Sequence, residues 1–222
     1  MTDIELLTPD KIIKSRRKSI SLIIKNDSEF IVRAPIKCAD KDILNFINQK
    51  AKWIINKRVE QKQNSIQPLK IENGEQISLF GNDYVIELKD VSKVKIVENL
   101  IIVPTANSKQ KFINFLKRQT KKHIEERAKL IAELFNFEYL KISISSAKTC
   151  WGSCSFNNNL HFTFKLAFCQ LDVIDYIILH ELCHTQCKNH STKFWQLVEH
   201  CMPNYKTQEK WLKKNRGVIN II

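Results

Sequence analysis

Three histidines, His180, His184 and His190, lie within eleven residues of the chain, and Glu181 directly follows the first of them. Residues four apart lie on the same face of an α-helix, so His180 and His184 can present two imidazole nitrogens to one metal ion. His190 can reach the same ion if the helix ends near Cys187 and the chain turns back. The pattern H-E-x-x-H with a further histidine therefore predicts a zinc site with one ion per chain.

Such a site supports hydrolysis by an activated water molecule. Zinc held by three protein ligands keeps a fourth coordination position for water, and it lowers the pKa of that water towards neutrality. Glu181 would be the general base, which takes the proton from the water and passes it to the leaving amine. The pattern therefore predicts a zinc-dependent metallopeptidase. Histidines buried by chance are the alternative, but chance produces H-E-x-x-H in only about one such chain in a hundred.

The cysteines near the motif allow a different metal site. Cys150, Cys154, Cys183 and Cys187 form two C-x-x-x-C spacings and could bind zinc as thiolates. Cys183 and Cys187, however, lie on a helix face rotated from the histidine pair, and buried free cysteines are common. The histidine spacing also occurs in metzincin proteases, which have a glycine where this chain has Cys187. That departure argues against the metzincin class.

The composition is that of a globular protein, with 222 residues of which 43% are hydrophobic. No apolar run approaches the roughly 20 residues that span a bilayer, and the first residues lack the apolar segment of a signal peptide. Seven cysteines, an odd number without a regular framework, fit reduced thiols. We therefore expect a soluble, cytoplasmic protein without a membrane partner.

Positive charge is concentrated in the second half of the chain. Residues 106–222 carry 18 basic and nine acidic side chains, a net charge of +9, whereas residues 1–105 carry 18 and 14, a net charge of +4. The excess peaks at residues 109–129, where a basic helix face could contact the phosphates of a nucleic acid. A solvated helix surface is the alternative. A nucleic-acid-associated protein with a structural zinc is therefore a second functional hypothesis.

The periodicity of apolar residues predicts an α+β protein with a soft boundary near residue 105. Residues 1–105 form a strand-rich unit with one helix, in which two strands flank a turn at residues 26–28 and Asp40 caps a helix that runs to residue 64. Four short strands follow, in ISLF, YVIEL, KVKIV and LIIVP. Residues 106–222 form the catalytic half, with a long helix, three strands (KISIS, WGSCS, NLHFTF) and three further helices, the first of which carries H-E-x-x-H.

The segments around the motif resemble the YgjP-like metallopeptidase family, relatives of the SprT-like proteases among the zincins. The resemblance rests on WGSCS (151–155), NLHFTFKL (159–166), VIDYIILHELCH (173–184), NHSTKFW (189–195) and MPNYKTQEKWL (202–212). RRKSISLIIKNDSEFIVRAP also matches, so the similarity covers nearly the whole chain. It implies a zincin-like catalytic half, a protein or peptide substrate, zinc ligands at the three histidines and a catalytic Glu181. The SprT-like relatives also suggest a protease that acts on DNA-bound proteins.

Five further residues are candidates for substrate binding. Trp151, Gly152, Ser153 and Cys154 could line the cleft, because a strand edge beside the zinc helix lets a peptide add by backbone pairing. Packing is an equal alternative for Trp151. Tyr205 is a candidate oxyanion donor by resemblance to the zincins. The family often has an arginine directly before WGSC, where this chain has Cys150. If that arginine orients the substrate or the active site, this protein must do so in another way.

Overall fold

The computed structural model describes residues 7–25, 29–63 and 68–222. The contacts within the chain divide it into two compact units, Met1–Gln67 and Pro68–Ile222. Both units combine helices with strands, so the predicted α+β class is confirmed. No helix among the described residues is long and apolar enough to cross a bilayer.

The described part of the first unit is a small sheet with two helices. Its elements are β1 (Lys11–Ser15), β2 (Ser21–Ile24), β3 (Phe30–Pro35), α1 (Asp40–Gln49) and α2 (Ala51–Gln63). β3 lies in the centre of the sheet, parallel to β1 and antiparallel to β2. The apolar residues of β3 form one core with those of the helices: Phe30, Val32, Ala34, Ile43, Ile47 and Ile54.

The first unit differs from the sequence-based expectation in its helix. The single helix predicted from residue 40 to residue 64 is two helices, and residue 64 lies outside the described part. The helix breaks at Lys50, whose N–H bonds to carbonyls three and four residues earlier, as at a tightened helix end. Asp40 does not cap α1. Ala39 occupies the N-cap position, and the Asp40 carboxylate instead accepts a hydrogen bond from Lys14 at 2.8 Å. The predicted turn at residues 26–28 also lies outside the described residues.

The second unit, which the structure describes throughout, contains two sheets and four α-helices. Its elements are β4 (Gln76–Leu79), β5 (Asn82–Lys89), β6 (Lys95–Val97), β7 (Leu100–Pro104), α3 (Ser108–Phe135), β8 (Lys141–Ser145), β9 (Gly152–Cys154), β10 (Asn159–Thr163), α4 (Leu171–Gln186), α5 (Thr192–Cys201) and α6 (Tyr205–Lys214), with 3₁₀ helices at Phe164–Phe168 and Arg216–Asn220. The sheet orders are β4-β5-β7-β6 and β8-β10-β9. β5 is parallel to β7 and β10 is parallel to β8, while the other pairs are antiparallel.

The division of the chain falls after residue 67 rather than near residue 105. The sheet β4–β7 shares one core with α3, in which Ile86 and Ile101 of the sheet pack with Phe112, Phe115 and Leu116 of the helix. Because these strands bury their apolar face against α3, they belong to the unit that follows them. The sequence showed no linker at either place, so periodicity alone did not locate the boundary.

The long helix α3 also fixes the position of α4. The guanidinium of Arg127 makes two hydrogen bonds to the carboxylate of Asp175 on α4, at 2.8 and 2.5 Å. Thr120, which is fully buried, donates to the carbonyl oxygen of Phe164 at 3.1 Å. Paired hydrogen bonds of this charge-assisted kind are both strong and directional. The two bonds between Arg127 and Asp175 therefore hold α4, the helix of the H-E-x-x-H motif, against the long helix α3.

Candidate metal centre

The centre is built on α4, a helix that is buried over most of its length. Its apolar residues Val173, Ile174, Ile177 and Leu182 are all less than 5% exposed. The helix ends at Gln186, as the sequence predicts. The next residue has an extended backbone (φ −126°, ψ 97°), so the chain leaves the helix through a conformation that any residue adopts. A glycine at that position is therefore not needed for the turn.

The side chains of the three histidines converge. Nε2 of His190 lies 3.0 Å from Nε2 of His180 and 3.2 Å from Nε2 of His184. One ring nitrogen from each residue lies within 4.8 Å of the others. Two nitrogens bound to a tetrahedral zinc ion at about 2.0–2.1 Å are about 3.3 Å apart. The observed spacing therefore fits three imidazoles around one ion.

A backbone hydrogen bond sets which nitrogen of His184 faces this point. Nδ1 of His184 lies 2.9 Å from the carbonyl oxygen of Cys187. Because a carbonyl only accepts, Nδ1 carries the proton and Nε2 keeps its lone pair for a metal. Nδ1 of His180 is buried and has no hydrogen-bond partner within the described part of the chain. The two helix histidines thus differ in their outer contacts.

The surroundings also favour the neutral form of the two helix histidines, His180 and His184. Burial, together with the neighbouring His184 and His190, lowers the pKa of His180 to about 3. Burial likewise lowers the pKa of His184, although the hydrogen bond with Cys187 acts in the opposite direction. The neutral imidazole is the form that binds a metal ion. The electrostatics of the pocket therefore agree with its geometry.

One aromatic ring packs against all three histidines. The ring centroid of Phe194, on α5, lies 4.9 Å from that of His180, 4.4 Å from that of His184 and 4.8 Å from that of His190. Phe194 has no exposed surface. This ring therefore supports all three histidines and not only the one nearest to it in the chain.

Tyr205 lies in a stack of aromatic rings beside the centre. Trp195 stacks on His190 with centroids 5.7 Å apart and on Tyr205 with centroids 5.6 Å apart. Tyr205 in turn stacks on Tyr176 at 6.2 Å and is only 6% exposed. Its hydroxyl makes no hydrogen bond with any described residue. These contacts support a packing role for the ring, and the oxyanion role stays a prediction.

Glu181 is buried against a glycine on β9. Glu181 is only 6% exposed, and burial raises the pKa of its carboxyl group to about 8. A Cβ atom built on Gly152 would lie 2.8 Å from both Cγ and Oε1 of Glu181. Cβ atoms essentially never make contacts this short, so a side chain at 152 would displace the carboxylate. The sequence marked Gly152 only as a candidate for substrate binding.

The WGSC segment forms the edge strand that faces α4. β9 pairs with β10 on one side, with Gly152 opposite Phe162 and Cys154 opposite Leu160. Its other side has no strand partner among the described residues. Ser153 is exposed and Trp151 is half-buried. The four residues of the WGSC segment thus lie at or beside a free strand edge near Glu181, which is what addition of a peptide strand requires. Their contact with a substrate stays a prediction.

Lys188, which the sequence did not single out, connects the histidine loop to this edge. Its Nζ atom donates to the carbonyl oxygen of Ser155 at 3.0 Å and to the side-chain oxygen of Asn158. It also lies 3.8 Å from Sγ of Cys154. Because Lys188 stands between two of the histidines in the chain, these bonds hold the loop on the turn between β9 and β10.

A buried lysine holds the segment that precedes β9. Lys165 is 2% exposed, and its Nζ atom donates to the carbonyl oxygen of Ala147 at 3.0 Å. Oγ1 of Thr163 donates to the same oxygen at 3.2 Å. Burial lowers the pKa of Lys165, and Lys148 lowers it further. Lysines are rarely buried, so no pattern of residue types indicates this contact.

The cysteines do not form an alternative zinc site. Among the described residues, the three histidines are the only group of three or more histidine, cysteine or acidic residues placed to hold a metal. Cys150 is exposed, whereas Cys183 is fully buried on α4. Burial also raises the pKa of Cys154, against the effect of Lys188, which argues against a thiolate nucleophile there.

The comparison with known protein families agrees with the chemistry of this site. The sequence profile of the YgjP-like family, described as "YgjP-like, metallopeptidase domain", matches residues 18–215. The chain therefore belongs to the YgjP-like metallopeptidase family. A comparison with curated proteins finds no significant match. The crystal structure of the metallopeptidase zymogen of Pyrococcus abyssi abylysin is similar over 42% of this chain and 95% of that one, at 20% identity. Its TM-score of 0.39 is too low to carry an argument.

Proposed function

We propose that this protein hydrolyses peptide bonds with a zinc ion held by His180, His184 and His190 and with Glu181 as general base. The observation that carries the proposal is the approach of Nε2 of His190 to Nε2 of His180 at 3.0 Å and of His184 at 3.2 Å, within a family of metallopeptidases. Three neutral nitrogen donors are a common ligand set for catalytic zinc. A zinc ion in such a site polarises the scissile carbonyl and lowers the pKa of water.

The residues of the chain supply orientation and proton transfer. Cys187 fixes the tautomer of His184, and Phe194 restricts the rings of all three histidines. Glu181 projects from the same helix turn towards the edge strand, where its carboxylate can take a proton from water and return it to the leaving amine. Burial of this carboxylate excludes bulk water, which strengthens its electrostatic interactions.

The substrate is proposed to bind as an extended peptide along the free edge of β9. Strand addition supplies main-chain hydrogen bonds and places a peptide bond beside Glu181 and the histidines. Ser153 and the neighbouring residues of the edge strand would contact the substrate backbone. The aromatic stack of Trp195 and Tyr205 borders the histidines on another side, and Tyr205 remains the candidate to stabilise the oxyanion.

Glu181→Gln tests the proposal because the amide keeps the shape of the side chain but cannot accept the proton. We expect bound zinc to stay at one ion per chain while hydrolysis of a quenched fluorescent peptide library falls by about 10²–10⁴-fold. Glu199→Gln, at an exposed position on α5, is the matched control and should leave both unchanged. Full activity of the Glu181 variant would reject the general base. Zinc binding without hydrolysis in the wild type would indicate a structural ion.

A further inference from the structure

A cavity elsewhere in the second unit has the opposite character to the metal centre. It lies between the turn that precedes β6 and the N-terminal half of α3, and it encloses about 450 Å³. We call it the basic cleft, and its lining residues are Ser92, Lys93, Val94, Lys111, Asn114 and Arg118. None of these residues belongs to the metal centre or to the edge strand beside it.

The polar groups of the basic cleft are almost all hydrogen-bond donors. Within the described part of the chain, Lys93, Lys111 and Arg118 make no ion pair or hydrogen bond through their side chains. The side-chain oxygen of Asn114 already accepts a hydrogen bond from Gln110 at 3.0 Å, which leaves its NH₂ group available. Three cations and a free amide donor around one cavity form a site for an anion.

The helix α3, which supplies three residues of the cleft, carries basic side chains at its N-terminal end, where they do not stabilise the helix. Residues 108–124 of α3 contain six basic and no acidic side chains. The N-terminal end of a helix bears a partial positive charge, so lysines in its first turns lower helix stability. No side chain caps the helix at Asn107. The helix dipole therefore disfavours Lys109 and Lys111 in the first turn, whereas a bound anion would favour them.

The basic residues extend beyond the cleft along one face of α3. Lys111, Arg118 and Lys122 are separated by seven and four residues, so they lie in one line on the helix surface. Eleven residues of helix span about 16 Å. DNA rises about 3.4 Å per phosphate of each strand, so this line matches several successive phosphates rather than one. A regular polyanion fits the surface better than a single small anion.

We propose that the basic cleft and the adjoining face of α3 bind the phosphate backbone of a nucleic acid. The contacts are electrostatic and donor-to-phosphate, so the binding is independent of base sequence and weakens steeply with salt. The proposal uses no residue of the metal centre, and it stands whether or not the peptidase mechanism is correct.

The test is fluorescence anisotropy with a fluorescein-labelled 20-base-pair DNA duplex and the zinc-loaded full-length protein. The double variant Lys111→Gln/Arg118→Gln removes two charges from the cleft. Lys210→Gln/Lys214→Gln removes two charges from exposed positions on α6 and is the matched control. At 50 mM salt we expect the cleft variant to bind at least about tenfold more weakly than wild type, with a salt slope shallower by about two. The control should change affinity less than about twofold.

Several outcomes would overturn the proposal. The proposal is wrong if the wild-type protein does not bind the duplex at 50 mM salt. It is also wrong if the two variants lose affinity equally, because that result would reflect net charge alone. Inorganic pyrophosphate is the second probe. If it binds as tightly as the duplex and loses affinity in the cleft variant, the site takes a small phosphate compound instead of a nucleic acid. An unchanged circular dichroism spectrum and an unchanged melting temperature in the cleft variant establish that it is folded.

Discussion

The metal centre and the basic cleft are two polar sites in one unit, and they are constructed in opposite ways. At the metal centre, ring nitrogens converge beside the buried ring of Phe194, and burial suppresses positive charge on His180 and His184. At the basic cleft, permanently charged groups surround an open cavity and lack carboxylate partners within the described residues. One arrangement suits a cation that must be held in fixed geometry, and the other suits an extended anion.

The difference shows what each kind of site requires from the fold. A metal site depends on distances of a few tenths of an ångström, so its ligands are packed and hydrogen-bonded on rigid elements. Phosphate binding by long basic side chains depends mainly on charge density and tolerates movement. We therefore expect substitutions to have large, position-specific effects at the metal centre and graded effects at the basic cleft.

His190→Ala should separate the two regions most strongly. Two imidazoles bind zinc far more weakly than three. Loss of a residue that only orients a zinc ligand lowers zinc affinity or activity by about 10–100-fold. We expect zinc affinity and peptide hydrolysis to fall by more than this in the His190 variant. Zinc should raise the melting temperature of wild type but not of this variant. DNA affinity of the basic cleft should not change. One tightly bound zinc ion per chain in the variant would show that His190 is not a ligand.

Gly152→Ala should act on catalysis without removing the metal. The added methyl group would lie 2.8 Å from the Glu181 side chain, so the carboxylate must move. A displacement of about 1 Å in a catalytic group can cost about 100-fold in rate, and we expect a loss of that size in kcat with one zinc retained. Gly74→Ala is the control: its φ of +84° strains an alanine, but nothing lies within 4 Å. The control should lower stability and keep kcat. Equal kcat in both variants would refute the spacing role.

Phe194→Ala should have a smaller effect on function and a larger one on the fold. Loss of this fully buried ring should lower the free energy of unfolding by about 3–5 kcal/mol. Zinc affinity should fall by about tenfold, because the histidine rings lose their common support. Denaturant titration and competition with a zinc chelator measure the two effects. Phe156→Ala, at a position 88% exposed, should change stability by less than about 0.5 kcal/mol. Unchanged zinc affinity in the Phe194 variant would contradict the packing argument.

The metal centre could be anticipated from the sequence because its signal is local. The spacing of His180 and His184 on a helix, the end of that helix at Gln186 and the return of His190 all lie within one short segment. Local periodicity likewise predicted the long helix α3 and the strands of the second unit. In each case the pattern of residue types lies within one segment of the chain and determines the local structure of that same segment.

Contacts between distant segments were not predictable in the same way. The approach of Gly152 to Glu181 depends on how β9 packs on α4, and no local pattern encodes that distance. Lys188 and Lys165 are ordinary lysines in the sequence, and only the tertiary structure gives them carbonyl partners. The division of the chain after residue 67 also depends on packing, since the sheet β4–β7 joins the core of a helix that follows it.

The most direct test of the central claim is X-ray absorption spectroscopy at the zinc K edge of the purified, zinc-loaded protein. Three imidazoles and one water predict four nitrogen or oxygen neighbours at about 2.0–2.1 Å, with the multiple scattering typical of histidine rings. A sulfur neighbour at about 2.3 Å, or a spectrum without histidine scattering, would contradict the three-histidine site and the hydrolysis built on it.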